Sequence, residues 1–171
     1  MRIKLFLSAM LVALSTCLYA TNTGTTSTLK QIAGMLTPVE CSVSDISSTA
    51  VQAAKVAKTA ISISNQLNEL KSNAESYNKE NKSDVGKKLQ MLKLAQQLLS
   101  SSKSQTTSVL GLMSKAKNFS SLISKIKGTN EKTEAQNSAN YCTKLLNLCN
   151  SESKSQISTA TQIIKLLKAA K

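Results

Sequence analysis

Residues 44–81 read SDISSTAVQAAKVAKTAISISNQLNELKSNAESYNKEN and carry the clearest structural signal in the chain. It contains no proline or glycine, and its apolar residues recur at steps of three and four. That spacing places side chains on one face of an α-helix. The stretch therefore predicts a single amphipathic helix, roughly 50 Å long at about 1.5 Å per residue, which needs partner helices to cover its apolar stripe. The members of the stripe are Ile46, Ala50, Ala53, Ala57, Ala60, Ile63, Leu67, Leu70, Ala74 and Tyr77.

The apolar periodicity returns three times further along the chain. Ser83 or Asp84 is a suitable N-cap for the next helix. A later stripe is predicted to end at Gly128, in the position where glycine commonly terminates a helix. The three predicted stripes are Val85, Leu89, Leu92, Ala95 and Leu99; then Val109, Leu112, Ala116, Phe119, Ile123 and Ile126; and finally Cys142, Leu146, Cys149, Ile157, Ala160, Ile164 and Leu167.

Two polar segments leave the number of helices open. Residues 100–108 (SSSKSQTTS) are interpreted as a loop or kink in preference to a continuing helix, because serine and threonine favour caps over helix interiors. Residues 150–156 (NSESKSQ) either continue the last helix or break it. No strand pattern competes with these helices. We therefore predict an all-α fold, an elongated bundle of three to five helices with two long helices near the ends of the mature chain.

The first 20 residues are typical of a secretory signal peptide. Arg2 and Lys4 give a positive start, an apolar run follows over residues 5–14, and Ala20 is a small residue at a cleavage point. The apolar run is shorter than the roughly 20 residues that a membrane-spanning helix needs. We therefore expect an exported protein in the periplasm or at the cell surface, with no transmembrane helix after cleavage.

The remaining chain divides into a leader and one domain. Residues 21–43 are predicted to be a flexible N-terminal leader, within which residues 29–36 form a short helical turn before Pro38 breaks the helix. Residues 44–171 are predicted to be the helical bundle domain. Cys17 offers a different start, since residues 14–17 (LSTC) resemble the lipobox at which bacterial lipoproteins are cut and acylated. Lipidation at Cys17 is thus the alternative to simple cleavage.

The charge of the chain is strongly positive. The net charge is +13, and removal of residues 1–20, with Arg2 and Lys4, lowers it to +11. Arg2 is the only arginine, so the mature chain lacks the side chain that makes bidentate contacts to bases. Few aromatic residues remain to stack on bases. These features argue against specific nucleic-acid binding and favour a solvated helix surface, with diffuse contact to an anionic cell surface as the alternative.

Three cysteines remain after signal cleavage, namely Cys41, Cys142 and Cys149. In an exported protein they are disulfide candidates. Cys142 and Cys149 would lie about 10 Å apart along one helix, beyond the roughly 7 Å between bridged Cα atoms, and can pair only if residues 143–148 form a loop. A disulfide between Cys41 and either of them is the favoured interpretation. Free thiols are the third possibility. A Cys41 bridge requires the long helix to run up, the middle region down and the last helix up.

The sequence carries no catalytic constellation. Histidine is absent, which excludes His-based triads and His metal sites, and the cysteines do not have the spacing of a zinc motif. Ser-x-x-Lys pairs such as Ser100–Lys103 occur, but the further motifs of enzymes that use this pair are missing. We therefore predict a non-enzymatic protein with no catalytic residue, cofactor or metal ligand.

The plan of the chain resembles the minor pilus subunits of bacterial type IV secretion systems. The resemblance covers Met1–Ala20, the helix from Ser44, and the segment from Tyr141 to Lys171. It implies an elongated helical bundle in an exported pilus component of a secretion or conjugation system. Such a component acts in assembly or target-cell contact, with other secretion-system or surface proteins as partners. The alternative is an unrelated periplasmic or surface binding protein, such as an adhesin or an exclusion factor.

Overall fold

The structure, a computed structural model, describes residues 27–80 and 84–169. Within these ranges the chain forms helices and no strand. The predicted all-α class is therefore confirmed, and the two longest helices, of 37 and 41 residues, lie near the ends of the chain. The helices are α1 (Ser27–Ala33), α2 (Ser44–Glu80), α3 (Val85–Ala116), α4 (Phe119–Ser124) and α5 (Thr129–Ala169).

The three long helices α2, α3 and α5 pack against one another, with α3 running opposite to the other two. Two apolar clusters mark the ends of this bundle. Helix α2 rises from the lower cluster to the upper, α3 descends, and α5 rises again. This is the up-down-up path that a Cys41 bridge requires, and the middle region is not a helical hairpin. The lower cluster includes Ile46, Leu112 and Cys142, and the upper cluster includes Leu70, Met91 and Leu167.

Helix α2 matches its prediction closely. It begins at Ser44 and ends at Glu80, and all ten members of its predicted stripe are buried. Asp84 then caps α3 as expected, since its carboxylate accepts a hydrogen bond of 2.9 Å from the backbone N–H of Lys87. The hydroxyl of Tyr77 donates to the carbonyl oxygen of Asp84 over 3.0 Å. The last turn of α2 is thereby tied to the first turn of α3.

The predictions for α3 were wrong in two respects. The helix continues without a break from Val85 to Ala116, so residues 100–108 are helical and not a loop. The apolar stripe is also displaced, because Val85 is 72% exposed and Leu89 is 57% exposed. Serine hydroxyls inside this helix bond to the preceding turn, as Ser102 does to the Leu98 carbonyl oxygen at 2.7 Å. The buried residues are Met91, Ala95, Leu98, Ser102, Gln105, Val109 and Leu112.

The predicted helix over residues 109–126 is interrupted. Helix α3 ends at Ala116, a turn follows at residues 117–118, and α4 spans only Phe119–Ser124. Phe119 and Ile123 are nevertheless buried in the lower cluster, as the stripe predicted. Gly128 does not terminate a helix, and no glycine in the described residues has a positive φ. Its carbonyl oxygen instead accepts the Lys132 N–H at 2.9 Å, which places Gly128 at the start of α5.

Helix α5 is continuous from Thr129 to Ala169, so residues 150–156 do not break it. Five members of its predicted stripe are buried, whereas Ile157 and Ile164 are only half-buried. The buried line has steps of four and three throughout, which is the seven-residue repeat of helices that pack side by side. Its members are Ala135, Ala139, Cys142, Leu146, Cys149, Ser153, Gln156, Ala160, Ile163 and Leu167.

Part of the predicted leader packs on the bundle. Leu29 and Ile32 of α1 are buried in the lower cluster. The connection that follows is held by α5, because Tyr141 Oη donates to the Met35 carbonyl oxygen at 2.7 Å and Ser138 Oγ donates to the Val39 carbonyl oxygen. The signal-peptide prediction and Cys17 lie outside the described residues. Among the described helices, none combines the length and apolar character needed to cross a membrane.

Candidate functional site: a polar layer and a serine groove

A layer of polar side chains separates the two apolar clusters at the middle of the bundle. All three long helices contribute to it, and each member is buried to at least nine-tenths. Burial of polar groups costs free energy unless hydrogen bonds replace those made to water. At this layer the bundle therefore has polar contacts in place of apolar packing. Its members, which we call the polar layer, are Ser64, Ser102, Gln105, Glu152, Ser153 and Gln156.

Half of the polar layer is a connected hydrogen-bond network between α2 and α5. Ser64 Oγ donates to Glu152 Oε1 at 2.6 Å. Gln156 Nε2 donates to Ser64 Oγ and to the Ala60 carbonyl oxygen, both at 2.8 Å. No lysine pairs with the Glu152 carboxylate among the described residues. The Ser64 hydroxyl, which accepts one bond and donates the other, is thus the centre of the network.

Gln105 differs from the rest of the layer in having both polar atoms unpaired among the described residues, whereas Gln156 lacks a partner only at Oε1. The Gln105 side chain is 5% exposed, yet neither Nε2 nor Oε1 has a hydrogen-bond partner among the described residues. An unpaired buried polar group costs about 1–3 kcal/mol, so this carboxamide destabilises the bundle as it stands. A leucine at the same position would avoid that cost. Packing of the core therefore does not explain the glutamine at position 105, which indicates a functional role for its side chain.

Gln105 lines a groove on the surface between α2 and α3. The groove has an upper part of about 380 Å³ and a lower part of about 430 Å³, and Val56 and Ser108 line both parts. We call the two parts together the serine groove. The upper part is lined by Val56, Thr59, Ser100, Ser101, Ser104, Gln105 and Ser108, and the lower part by Gln52, Lys55, Val56, Ser108, Gly111, Leu112 and Lys115.

The walls of the serine groove are hydroxyls, and its lower end is cationic. Thr59 and Ser108 donate to carbonyl oxygens of their own helices, which leaves their oxygen atoms able to accept further bonds. Lys55 and Lys115 are the charged residues of the lining, and no acidic residue contributes to it. Gly111 has open space where a side chain would begin, with no atom within 4 Å of an added Cβ. The groove thus offers hydrogen bonds along its length and positive charge at one end.

The predicted disulfide residues all lie at the lower cluster, as free thiols. Cys142 and Cys149 are fully buried on the unbroken α5 helix, which rules out a bridge between them in this fold. Cys41 is half-buried and packs on the same cluster, so the structure brings it to the end of the bundle that also holds Cys142. Its Sγ donates to the Val43 carbonyl oxygen at 3.6 Å.

Burial keeps the two inner thiols protonated. It raises the pKa of Cys142 from the ordinary 9.0 to about 11. Burial, with a smaller effect of the nearby Glu152 carboxylate, raises the pKa of Cys149 to about 12. Tyr141 beside them has its pKa raised from 10.0 to about 12, chiefly by burial. Because the thiolate is the reactive form, Cys142 and Cys149 are inert at neutral pH in the folded protein.

Sequence reasoning missed the polar layer and the serine groove. Both were hidden in the segments 100–108 and 150–156, which were interpreted as potential breaks. A signal was present, because Ser102 and Gln105 continue the seven-residue spacing of the buried line in α3. Glu152 could not have been identified in this way, since it lies beside the buried line of α5 and is not one of its members.

No metal centre is formed by the described residues, in which no group of three Cys, Asp or Glu side chains is placed to hold an ion. The arrangement therefore consists of a buried hydrogen-bond network and a groove lined in part by Gln105, whose carboxamide is buried and unpaired among the described residues. No known protein family, no characterised protein and no solved structure matches the chain.

Proposed function

We propose that the protein is an exported, non-enzymatic helical protein that acts as a minor pilus or surface component of a type IV secretion or conjugation system. In this role it binds other secretion-system or surface proteins during assembly or contact with the target cell. The single observation that carries the proposal is the rod of three long helices with a polar groove along one side. A rod of this kind presents much surface for its small core, which suits a protein whose task is binding.

Two features of the structure support a binding role. Helix α5, with 41 residues, is about 60 Å long at about 1.5 Å per residue, so the rod can span between neighbouring subunits. Gln105 lines the groove, and its buried, unpaired carboxamide is a cost to the fold of the kind that is characteristic of functional sites. The signal-like residues 1–20 and the resemblance of the chain to minor pilus subunits direct the proposal toward an exported assembly.

Deletion of the gene and fractionation of the protein test this proposal. We expect the deletion strain to lose pili or conjugation, and we expect the protein to appear in the sheared pilus fraction. A complementing copy should restore both properties. A copy without residues 1–20 should not restore them, because it stays in the cytoplasm.

The same experiment separates the alternative function. Normal pili and normal transfer, together with lost attachment to target cells, would identify an adhesin unrelated to the secretion system. Normal pili, transfer and attachment, with increased entry of DNA into the strain, would identify an exclusion factor. Either outcome would contradict the pilus assignment while leaving the binding role of the bundle in place.

A further inference from the structure

We propose that the serine groove binds an extended, acidic segment of a partner polypeptide. In this complex the Gln105 carboxamide pairs with the backbone N–H and C=O of one residue of the segment. The inference rests on the proposed function only in taking the protein to act by binding, and it adds the chemical class of the partner.

The unpaired Gln105 side chain selects the kind of ligand. A carboxamide offers one acceptor and two N–H donors. One residue of an extended segment offers the complementary pair, because its own N–H and C=O point to the same side of the chain. A helix has already used these groups internally. Both Gln105 atoms lack partners among the described residues and have almost no accessible surface. The side chain therefore turns toward the groove when the segment binds, where one extended residue satisfies both atoms.

The length and walls of the serine groove fit the same ligand. Along α3 the lining runs from Ser100 to Lys115, which is about 22 Å at about 1.5 Å per residue. That length accommodates about six or seven extended residues at about 3.3 Å each. Hydroxyls of the upper part lie on either side of Gln105 along α3 and can bond to successive peptide units. Gly111 keeps the lower part open, since no side chain occupies it.

The positive charge of the serine groove indicates that the bound segment is acidic. Lys55 and Lys115 line the lower part of the groove, and no acidic residue lines either part. Carboxylates of a bound segment would therefore meet two ammonium groups without repulsion from within the groove. The positive charge of the whole chain would also speed the encounter with an acidic partner.

A glycan is the competing class of ligand, because hydroxyls and a carboxamide can also bond to sugars. Sugar-binding grooves commonly use aromatic rings as platforms for the apolar faces of the sugar. The aromatic side chains of the described residues, Tyr77, Phe119 and Tyr141, are all buried in the apolar clusters. None is available to the serine groove, which favours a polypeptide.

Fluorescence anisotropy with a defined peptide tests the inference. The probe is a labelled, N-acetylated eight-residue peptide in which glutamate alternates with threonine. Gln105→Leu removes the carboxamide, and Gly111→Leu fills the groove, while neither changes the net charge. Gln162→Leu, at an exposed position on α5, is the matched control. We expect binding at least tenfold weaker in the first two variants and unchanged in the control.

The folded state of each variant is checked separately. Neither leucine should unfold the protein, because one replaces an unpaired polar group and the other enters open space. Circular dichroism and the urea midpoint confirm this before binding is compared. A second pair of variants tests charge. The double variant Lys55→Gln with Lys115→Gln should bind the peptide more weakly, and its binding should depend less on salt concentration. Lys144→Gln with Lys154→Gln, which removes equal charge from exposed positions on α5, should have a smaller effect.

Three results would overturn the inference. Peptide binding that is equal in the wild type, Gln105→Leu and Gly111→Leu would place the peptide elsewhere on the cationic surface. Absence of any peptide binding at low salt would remove the polypeptide as the ligand. Chondroitin sulfate binding that is lost in Gly111→Leu, without such a loss for the peptide, would assign the groove to a glycan. These measurements use purified protein, so they can fail while a deletion strain still loses its pili, and the reverse also holds.

Discussion

Ser64 of α2 donates a hydrogen bond of 2.6 Å to the carboxylate of Glu152 on α5, where both side chains are buried. The two residues are separated by 88 positions in sequence and lie on helices that run in the same direction. A buried carboxylate without a lysine partner depends on hydrogen bonds for its solvation. The bond therefore favours one height of α2 relative to α5, since a shift by one turn would replace Ser64 by Ala60 or Asn68 and break this bond. Polar residues in packed helices set register in the same manner.

Removal of the Ser64 hydroxyl should destabilise the protein. In Ser64→Ala the Glu152 carboxylate loses its hydroxyl donor and Gln156 Nε2 loses one of its two acceptors. We expect the free energy of unfolding to fall by about 1–3 kcal/mol, which is the cost of leaving buried polar groups unpaired. Urea denaturation measures it. Ser72→Ala, at an exposed position of the same helix, should change stability by less than about 0.5 kcal/mol, and equal effects would refute the role of the network.

The fold was predictable wherever the buried line is apolar. In α2 every position of that line is Ala, Ile, Leu or Tyr, so the stripe read from the sequence is the buried one. In α3 the line passes through Ser102 and Gln105, and in α5 through Ser153 and Gln156. Polar residues at such positions resemble a loop when apolar residues alone are counted, and the stripe of α3 was consequently assigned to a neighbouring face.

The candidate site was not predictable for a related reason. The unpaired state of Gln105 depends on which groups surround it, and these come from three helices that the sequence does not align. The end of α4 shows the same limit. Glycine at position 128 fits a helix end or a helix start. The structure shows a start, because α4 ends at Ser124 and the Gly128 carbonyl oxygen accepts the Lys132 N–H.

Substitution of Gly111 by alanine should stabilise the protein. Gly111 lies inside α3, where glycine is about 1 kcal/mol less favourable than alanine. An added Cβ meets no atom within 4 Å, so the full gain should appear as a higher urea midpoint. Gly86→Ala is the control, because its Cβ would lie 3.3 Å from the capping carboxylate of Asp84. That variant should gain clearly less. A Gly111→Ala variant that gains no stability would contradict the open space at this position.

Stability should fall as the pH rises through the alkaline range. Cys142 and Cys149 ionise near pH 9.0 in the unfolded chain, but burial raises the pKa of each to about 11 and about 12 in the folded state. Between these values the unfolded state binds fewer protons than the folded state, so rising pH favours unfolding. Tyr141 acts in the same direction from about pH 10 to 12.

Urea denaturation at several pH values between about 8 and 11 measures this dependence. We expect a nearly constant urea midpoint from about pH 8 to 9 and a progressive decrease above it. The double variant Cys142→Ala with Cys149→Ala should show a shallower decrease, whatever its stability at the lowest pH. A decrease equally steep in the double variant would show that the thiols do not cause it.

The three thiols should differ sharply in their reactivity. Cys41 is half-buried, whereas Cys142 and Cys149 are fully buried with raised pKa values, and alkylation requires an accessible thiolate. We use the chain that begins at Thr21. A short pulse of N-ethylmaleimide at neutral pH should add one label to the native protein and three labels to the denatured protein, measured by intact mass. Native Cys41→Ser should take up none. Two or three labels on the native chain would contradict the burial of α5. Protein recovered from the periplasm that takes up no label until it is reduced would instead place Cys41 in a disulfide.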